Sequence, residues 1–237
     1  MKAMIFSAGL GTRFKPWTDK HPKALAVING KSLLQRNIEY LQQYNIKEVV
    51  VNVHHFADQI IDAIDKKYGW GSNVQISNEA EEVLETGGGL VKAATYLQNE
   101  PFITINVDIL TDLDLADFIL YHQQHKALIT LATTNRKTSR YLLFDENNQL
   151  CGWRNTATGA EKIAIEKQDM IPKAYSGIAL FEPAVFDKIK QQGKFSLIDV
   201  YLDLAAQNKI LGYDHSGGKL LDVGKPESVP IAEQLFS

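Results

Sequence analysis

Apolar positions along the chain recur at two periods, and the periods alternate. Ala3-Met4-Ile5-Phe6 is a short apolar run that predicts a buried first strand. Leu33, Leu34, Ile38, Leu41 and Tyr44 recur at spacings of three and four, so residues 31–45 read as a helix. Glu48-Val49-Val50-Val51-Asn52-Val53 is β-branched and reads as a second buried strand. Residues 56–68 return to helical spacing, and Asn73 to Ser77 alternate like a strand. Thr86-Gly87-Gly88-Gly89 opens a third helix that runs through Leu97, and residues 101–106 predict a fourth strand leading to Asp108. A helix over 115–125 and a strand over 128–133 complete the first half. This alternation predicts an α/β fold, a Rossmann-like, mixed but mainly parallel sheet with helices on both faces.

Beyond residue 135 the texture changes. Arg140 to Phe144 and Gln149 to Arg154 flank Asp145-Glu146-Asn147-Asn148, which predicts a β-hairpin. Residues 155–173 are polar and carry no clear period. Ala174 to Phe181 reads as a strand, helices are expected near 184–191 and 197–207, and Lys219 to Gly224 predicts a short strand and turn before a last helix. No linker composition or internal repeat interrupts residues 1–237. The expectation is one domain in two halves, over 1–135 and 136–237. No hexapeptide repeat is present, so no carboxy-terminal β-helix is expected.

Composition narrows the classes. At 45% hydrophobic residues the chain can build a core and is not disordered. No apolar run approaches the ~20 residues that span a bilayer, so no membrane is expected as partner. Met1-Lys2-Ala3 runs straight into a strand, and Cys151 is the only cysteine, which together predict a cytoplasmic protein without disulfides. A net charge of −3 gives no field for nucleic acid. A small anionic substrate therefore has to be held by a few placed cations.

The candidate chemistry begins where the first strand ends. Ser7-Ala8-Gly9-Leu10-Gly11-Thr12-Arg13 offers bare backbone N–H groups at two glycines, and Arg13 and Lys23 add cations. Such a cradle suits a polyphosphate. The dinucleotide fingerprint requires a small residue where Phe14 stands, and a Walker A loop requires glycine where Leu25 stands, so both fail. What remains is G-x-G-T-R-x-x-P-x-T-x-x-x-P-K, matched at every fixed position from Gly9 to Lys23.

That string resembles the signature of the sugar-1-phosphate nucleotidyltransferases, and the resemblance extends over nearly the whole chain. Within the family, Leu84-Glu85-Thr86-Gly87-Gly88-Gly89, Tyr175-Ser176-Gly177-Ile178 and Asp222-Val223-Gly224 are most similar to the N-acetylmuramate-1-phosphate uridylyltransferases. Mannose-1-phosphate guanylyltransferases and glucose-1-phosphate thymidylyltransferases share most of these stretches. The resemblance implies transfer of a nucleotidyl group from an NTP, best UTP, to a sugar-1-phosphate, best N-acetylmuramate-1-phosphate, with Mg²⁺ as cofactor and pyrophosphate released. It implies metal binding by Asp108 and Asp222, with Asp108 also reaching the sugar phosphate. The family's glycine before the first aspartate is replaced by Val107, which bears on backbone approach to the ribose.

Arg13, Lys23 and Asp108 are thus the candidate catalytic residues. Ala8, Gly9, Leu10, Gly11, Thr12, Arg13, Lys23 and Asn106 are assigned to the nucleotide. Glu85-Thr86-Gly87-Gly88 is expected to meet the base, its glycine N–H groups facing ring carbonyls, with Glu79 or Glu85 accepting a ring N–H. On the sugar side, Ser176 and Gly177 form the expected turn. Either Arg154 or Glu166-Lys167 takes the place of the family's Glu-Lys-Pro segment. Arg140 lies within reach of an acidic substituent, with solvated surface its stronger expectation. His54 and His55 alternate along a strand, so a joint metal site is not expected. Oligomeric state, monomer or homodimer, is open. Two other classes remain, a non-catalytic nucleotide-sugar sensor and a cytidylyltransferase of a phosphorylated alcohol.

Overall fold

The computed structural model describes residues 1–79 and 81–236. β1 (Lys2–Phe6) feeds an irregular loop with three short 3-10 turns between Thr12 and Leu25. A two-residue hairpin follows, β2 (Val27–Ile28) and β3 (Lys31–Ser32). Ser32 then caps α1 (Leu33–Gln43) by accepting from the Gln35 N–H, the local reason the helix begins there. β4 (Glu48–Val53), α2 (Ala57–Lys66), β5 (Asn73–Asn78), α3 (Glu85–Lys92), α4 (Ala94–Leu97) and β6 (Phe102–Asn106) continue the alternation. β7 (Ile109–Thr111), α5 (Leu115–His125) and β8 (Ile129–Thr134) complete the first half. The second half holds β9 (Arg140–Phe144), β10 (Leu150–Asn155), β11 (Glu161–Ile163), β12 (Ile171–Phe181), α6 (Leu197–Ala205), β13 (Ile210–Asp214), β14 (Leu220–Asp222) and α7 (Ser228–Leu235).

The main sheet runs β5-β4-β1-β6-β12-β8-β13, and every neighbour in that order is parallel except the two contacts of β12. The start of β12, Ile171 to Lys173, pairs instead with β9, and so hangs the β9-β10-β11 ribbon from the sheet. The strands bury both faces, as continuous apolar runs require. Ala3, Ile5, Val49, Val51, Ile103 and Ile105 enter one core with residues of α1, α2 and α5, whereas Met4, Phe6, Val50 and Phe102 enter another with residues of α6. Phe102 and Phe181 stack at 5.1 Å inside the second core.

Two expectations are corrected, and one strand of the main sheet was not expected. Residues 184–191 form no α-helix; a single 3-10 turn stands at Pro183–Val185. Just beyond it the backbone is used in tertiary pairing, with the Phe195 N–H donating to the Leu84 carbonyl at 3.2 Å. The predicted third helix breaks at Ala93 into α3 and α4. β13 was not foreseen, because Ile210-Leu211-Gly212-Tyr213 has neither alternation nor β-branched enrichment; it forms because β8 offers a free edge. Within the polar stretch 155–173, only Glu161 to Ile163 and the first residues of β12 become strand.

Candidate active site

The loop after β1 sits at the carboxyl end of the parallel strands, where open α/β sheets bind ligands. Gly11 has φ 60°, and a Cβ there would lie 2.8 Å from Thr18 Cγ2 and 3.2 Å from Lys23 Cβ. Thr18 Oγ1 and the Phe14 N–H both donate to the Gly11 carbonyl, at 2.9 and 2.8 Å. Those two bonds fold the loop back on itself and bring Lys23 under it. Among the described residues, the N–H groups of Ala8, Gly9, Leu10 and Gly11 have no acceptor in the protein, the condition an anion site requires. Gly9 and Gly11, with Thr12, Arg13, Lys23, Asn106 and Asp108, line a cleft of about 320 Å³.

Lys23 Nζ lies 2.5 Å from Asp108 Oδ2, and both side chains are largely buried. Asp108 follows β6 in a turn into β7, and β7 pairs antiparallel with β14, setting Asp222 opposite Ile109. The Val223 N–H donates to the Asp108 carbonyl at 2.8 Å, which locks the two acidic segments together. Partial desolvation and the nearby Asp108 charge push the Asp222 acid above its ordinary value, against the opposing pull of Lys23, Arg13 and Arg136. A Cβ on Gly224 would lie 3.4 Å from an Arg13 guanidinium nitrogen, so Arg13, Asp222 and Gly224 meet at one point. No group of three or more His, Cys, Asp or Glu converges among the described residues. The donor set is two carboxylates beside a phosphate cradle, which fits a hard cation that keeps phosphate oxygens and waters in its shell. His54 and His55 diverge: His54 Nδ1 lies 2.6 Å from the Glu79 carbonyl oxygen, whereas the His55 ring packs on Phe56 at 4.0 Å.

Next to the phosphate loop, Phe6, Ala8, Gly9, Asn52, Glu79, Val83, Glu85 and Thr86 line a mainly apolar pocket of about 250 Å³. Glu79 is almost fully buried and accepts from Asn52 Nδ2 at 2.7 Å and from the Leu84 N–H at 3.1 Å. Asn52 in turn accepts from the Ser7 N–H at 2.7 Å. This chain ties the far wall of the pocket to the start of the phosphate loop, so Glu79 positions the wall. Gly87 and Gly88 do not face the pocket with free N–H groups, as sequence reasoning expected. Both donate to the Phe195 carbonyl, at 2.9 and 3.3 Å, because glycine lets the 193–195 segment press directly on α3. A Cβ on Gly88 would collide with the Gly193 carbonyl oxygen. Gly88→Ala is therefore expected to cost about 1–3 kcal/mol by overpacking, a fall of roughly 2–12 °C in melting temperature for a chain of this size, read by thermal denaturation.

A second chamber of about 560 Å³ shares Arg13 with the nucleotide cleft, with Arg136, Arg140, Trp153, Tyr175 and Asp222 among its walls. Of the residues expected to face the sugar, Asp108 lines the nucleotide cleft and not this chamber. Arg154 is paired with Glu161 at 2.7 Å, Lys167 with Asp145 at 3.6 Å, and neither they nor Glu166 line either space. Ser176 is fully buried with Oγ 2.8 Å from His215 Nε2, and Gly177 presses on Asn106 and Ile109 instead of the cleft. Leu10 is 48% exposed and lines neither space, its contribution being its N–H. Arg136 and Asn52 were missed. Arg136 belongs to no motif, and only its place just past the carboxyl end of β8 could have signalled it.

Comparison with known proteins bears on the family and the fold. The nucleotidyl transferase family model matches residues 2–235. The chain is 31% identical over 227 residues to N-acetylmuramate alpha-1-phosphate uridylyltransferase of Neisseria meningitidis, covering 94% of this chain and 93% of that protein. It is 28% identical over 239 residues to the protein of the same name from Caulobacter vibrioides, covering 98% and 95%. Among solved structures, HddC of Yersinia pseudotuberculosis in complex with GMP-PN has the same fold, with a TM-score of 0.80 at 24% identity over 100% of this chain and 99% of that one.

Proposed function

The chain belongs to the nucleotidyl transferase family, and from that premise we propose that it joins the uridylyl group of UTP to N-acetylmuramate-1-phosphate and releases pyrophosphate. The observation that carries the reading is the convergence of the phosphate loop, Lys23 and Asp108 on one cleft, with Asp222 lining a second chamber and Arg13 lining both. Similarity to two uridylyltransferases of that name over nearly full length supports the choice of substrates. In this reading residues 1–135 hold the nucleotide and residues 136–237 the sugar. None of the described helices is long and apolar enough to cross a membrane. We place the reaction in the cytoplasm, with the chain acting as a monomer or homodimer and without nucleic acid.

An oxygen of the acceptor phosphate attacks the α-phosphorus in line. A new P–O bond forms, the bond from the α-phosphorus to the bridging oxygen breaks, and its electron pair leaves with pyrophosphate. A sugar phosphate is largely dianionic at neutral pH, so no protein base has to take a proton. The chain's work is orientation and charge neutralisation. Loop N–H groups and the Arg13 fork hold the β- and γ-phosphates, and Lys23 faces the α-phosphate from below while paired with Asp108. The pocket of Ala8, Val83 and Thr86 receives the base. Asp108 and Asp222 would hold Mg²⁺, which when bound neutralises charge on the α-phosphate and the incoming phosphate. The sensor reading is disfavoured because every cation and carboxylate of this machinery is present.

The test is pyrophosphate release from four NTPs against a panel of sugar-1-phosphates, with and without Mg²⁺. UTP with N-acetylmuramate-1-phosphate is expected to give the highest kcat/KM, and activity is expected to vanish on chelation. A clear preference for GTP with mannose-1-phosphate or dTTP with glucose-1-phosphate would overturn the substrate assignment. Silence with every pair would overturn the catalytic one.

A further inference from the structure

We infer that Arg140 selects acceptors bearing a carboxylate in addition to their phosphate, and so sets the substrate class of the second chamber. The inference rests on the reading that this chamber holds a sugar-1-phosphate.

The strand register places the groups. In the β9–β10 pair Leu142 stands opposite Trp153, and in the β10–β11 pair Trp153 stands opposite Lys162. Arg140 is two residues from Leu142 and so shares its face of the ribbon. Arg140, Leu142, Trp153 and Lys162 therefore lie across one surface, and the first three line the chamber. Four cations are carried on β9 to β12. Arg154 is held by Glu161, Lys162 by Asp199 at 2.6 Å and Lys173 by Asp214 at 2.6 Å. Among the described residues Arg140 alone of the four has no carboxylate partner, and its guanidinium makes no hydrogen bond to the protein.

The other arginines of the chamber are already committed. Arg13 belongs to the phosphate loop. Arg136 donates to the Tyr175 carbonyl at 3.1 Å and lines the chamber together with Asp222. Arg140 is left as a free planar fork, on the same surface as the flat face of Trp153, which suits a pyranose ring. A fork of donors without a partner matches a carboxylate bidentately, whereas a neutral hydroxyl would leave most of it unused. A neutral hexose-1-phosphate gives this residue nothing to neutralise.

The test compares N-acetylmuramate-1-phosphate with its carboxamide, which keeps shape and loses charge, in the wild-type protein and in Arg140→Gln and Arg140→Lys. The wild type is expected to favour the acid on the order of tenfold or more in kcat/KM, the size of one charge-assisted contact. Arg140→Gln is expected to bring that ratio to near one through KM, and Arg140→Lys to restore part of it. Equal use of acid and amide by the wild type would overturn the inference, as would a ratio that survives in Arg140→Gln. If instead neutral sugar-1-phosphates are the better acceptors, the inference fails while nucleotidyl transfer stands. If no sugar-1-phosphate yields pyrophosphate with any NTP, the underlying reading fails with it.

Discussion

Asp222→Asn is expected to lower pyrophosphate release by on the order of 10²–10³-fold, the usual cost of one lost transition-state charge contact, while the protein melts no earlier than wild type. The second half of that expectation separates a functional carboxylate from a structural one. Asp222 accepts no hydrogen bond and forms no ion pair among the described residues, and the Asp108 charge and partial desolvation both oppose its ionised form. A carboxyl held above its ordinary value in the folded state binds a proton more readily there than when unfolded. Stability therefore falls as pH rises through that range, and at neutral pH the charge works against the fold. Removing it should leave melting, measured in chelator, unchanged or slightly raised. Asp108→Asn should lose as much activity but also some stability, because it leaves Lys23 without its partner. Near-normal turnover in Asp222→Asn would remove the residue from the reaction, and a large drop in its melting temperature would recast it as scaffold.

Gly11→Ala is expected to reduce kcat/KM for the NTP by about 10²-fold, the scale on which a 1 Å misplacement of a reacting group acts. The φ of 60° costs a side chain roughly 1–2 kcal/mol, and the new methyl must displace Thr18 or Lys23. Moving Thr18 strains its bond to the Gly11 carbonyl, and moving Lys23 shifts the amine that reaches Asp108. Gly9→Ala is the control with the opposite logic. Nothing in the protein lies within 4 Å of a Cβ at that position, so melting should not change. Its methyl would instead enter the nucleotide cleft and raise KM alone. Equal melting and equal kinetics for both variants would remove the loop from triphosphate binding.

The two-sided sheet was legible because β1, β4 and β6 are continuous apolar runs and the helices keep strict spacing. The loop was legible because its glycines, cations and prolines all stand within one short stretch. Pairing that depends on remote partners was not legible. Phe195 gives no local sign that its carbonyl will take the Gly87 and Gly88 N–H groups, so those glycines read as ligand contacts. The Asn52–Glu79 hydrogen bond joins two strands, and neither residue announces the other. On the sugar side, Arg154 and Lys167 were nominated by analogy to a motif and proved to be matched with local carboxylates. Arg136 and Arg140 are distinguished only by where the β9–β12 ribbon folds them.

β7 and β14 form a small ladder of their own, apart from the main sheet, joining the middle of the chain to the segment just before α7. Asp222 thus owes its place to that ladder and to the Val223–Asp108 bond, so the acidic couple can be uncoupled from the cradle by substitutions in β7 or β14 that leave the main sheet untouched.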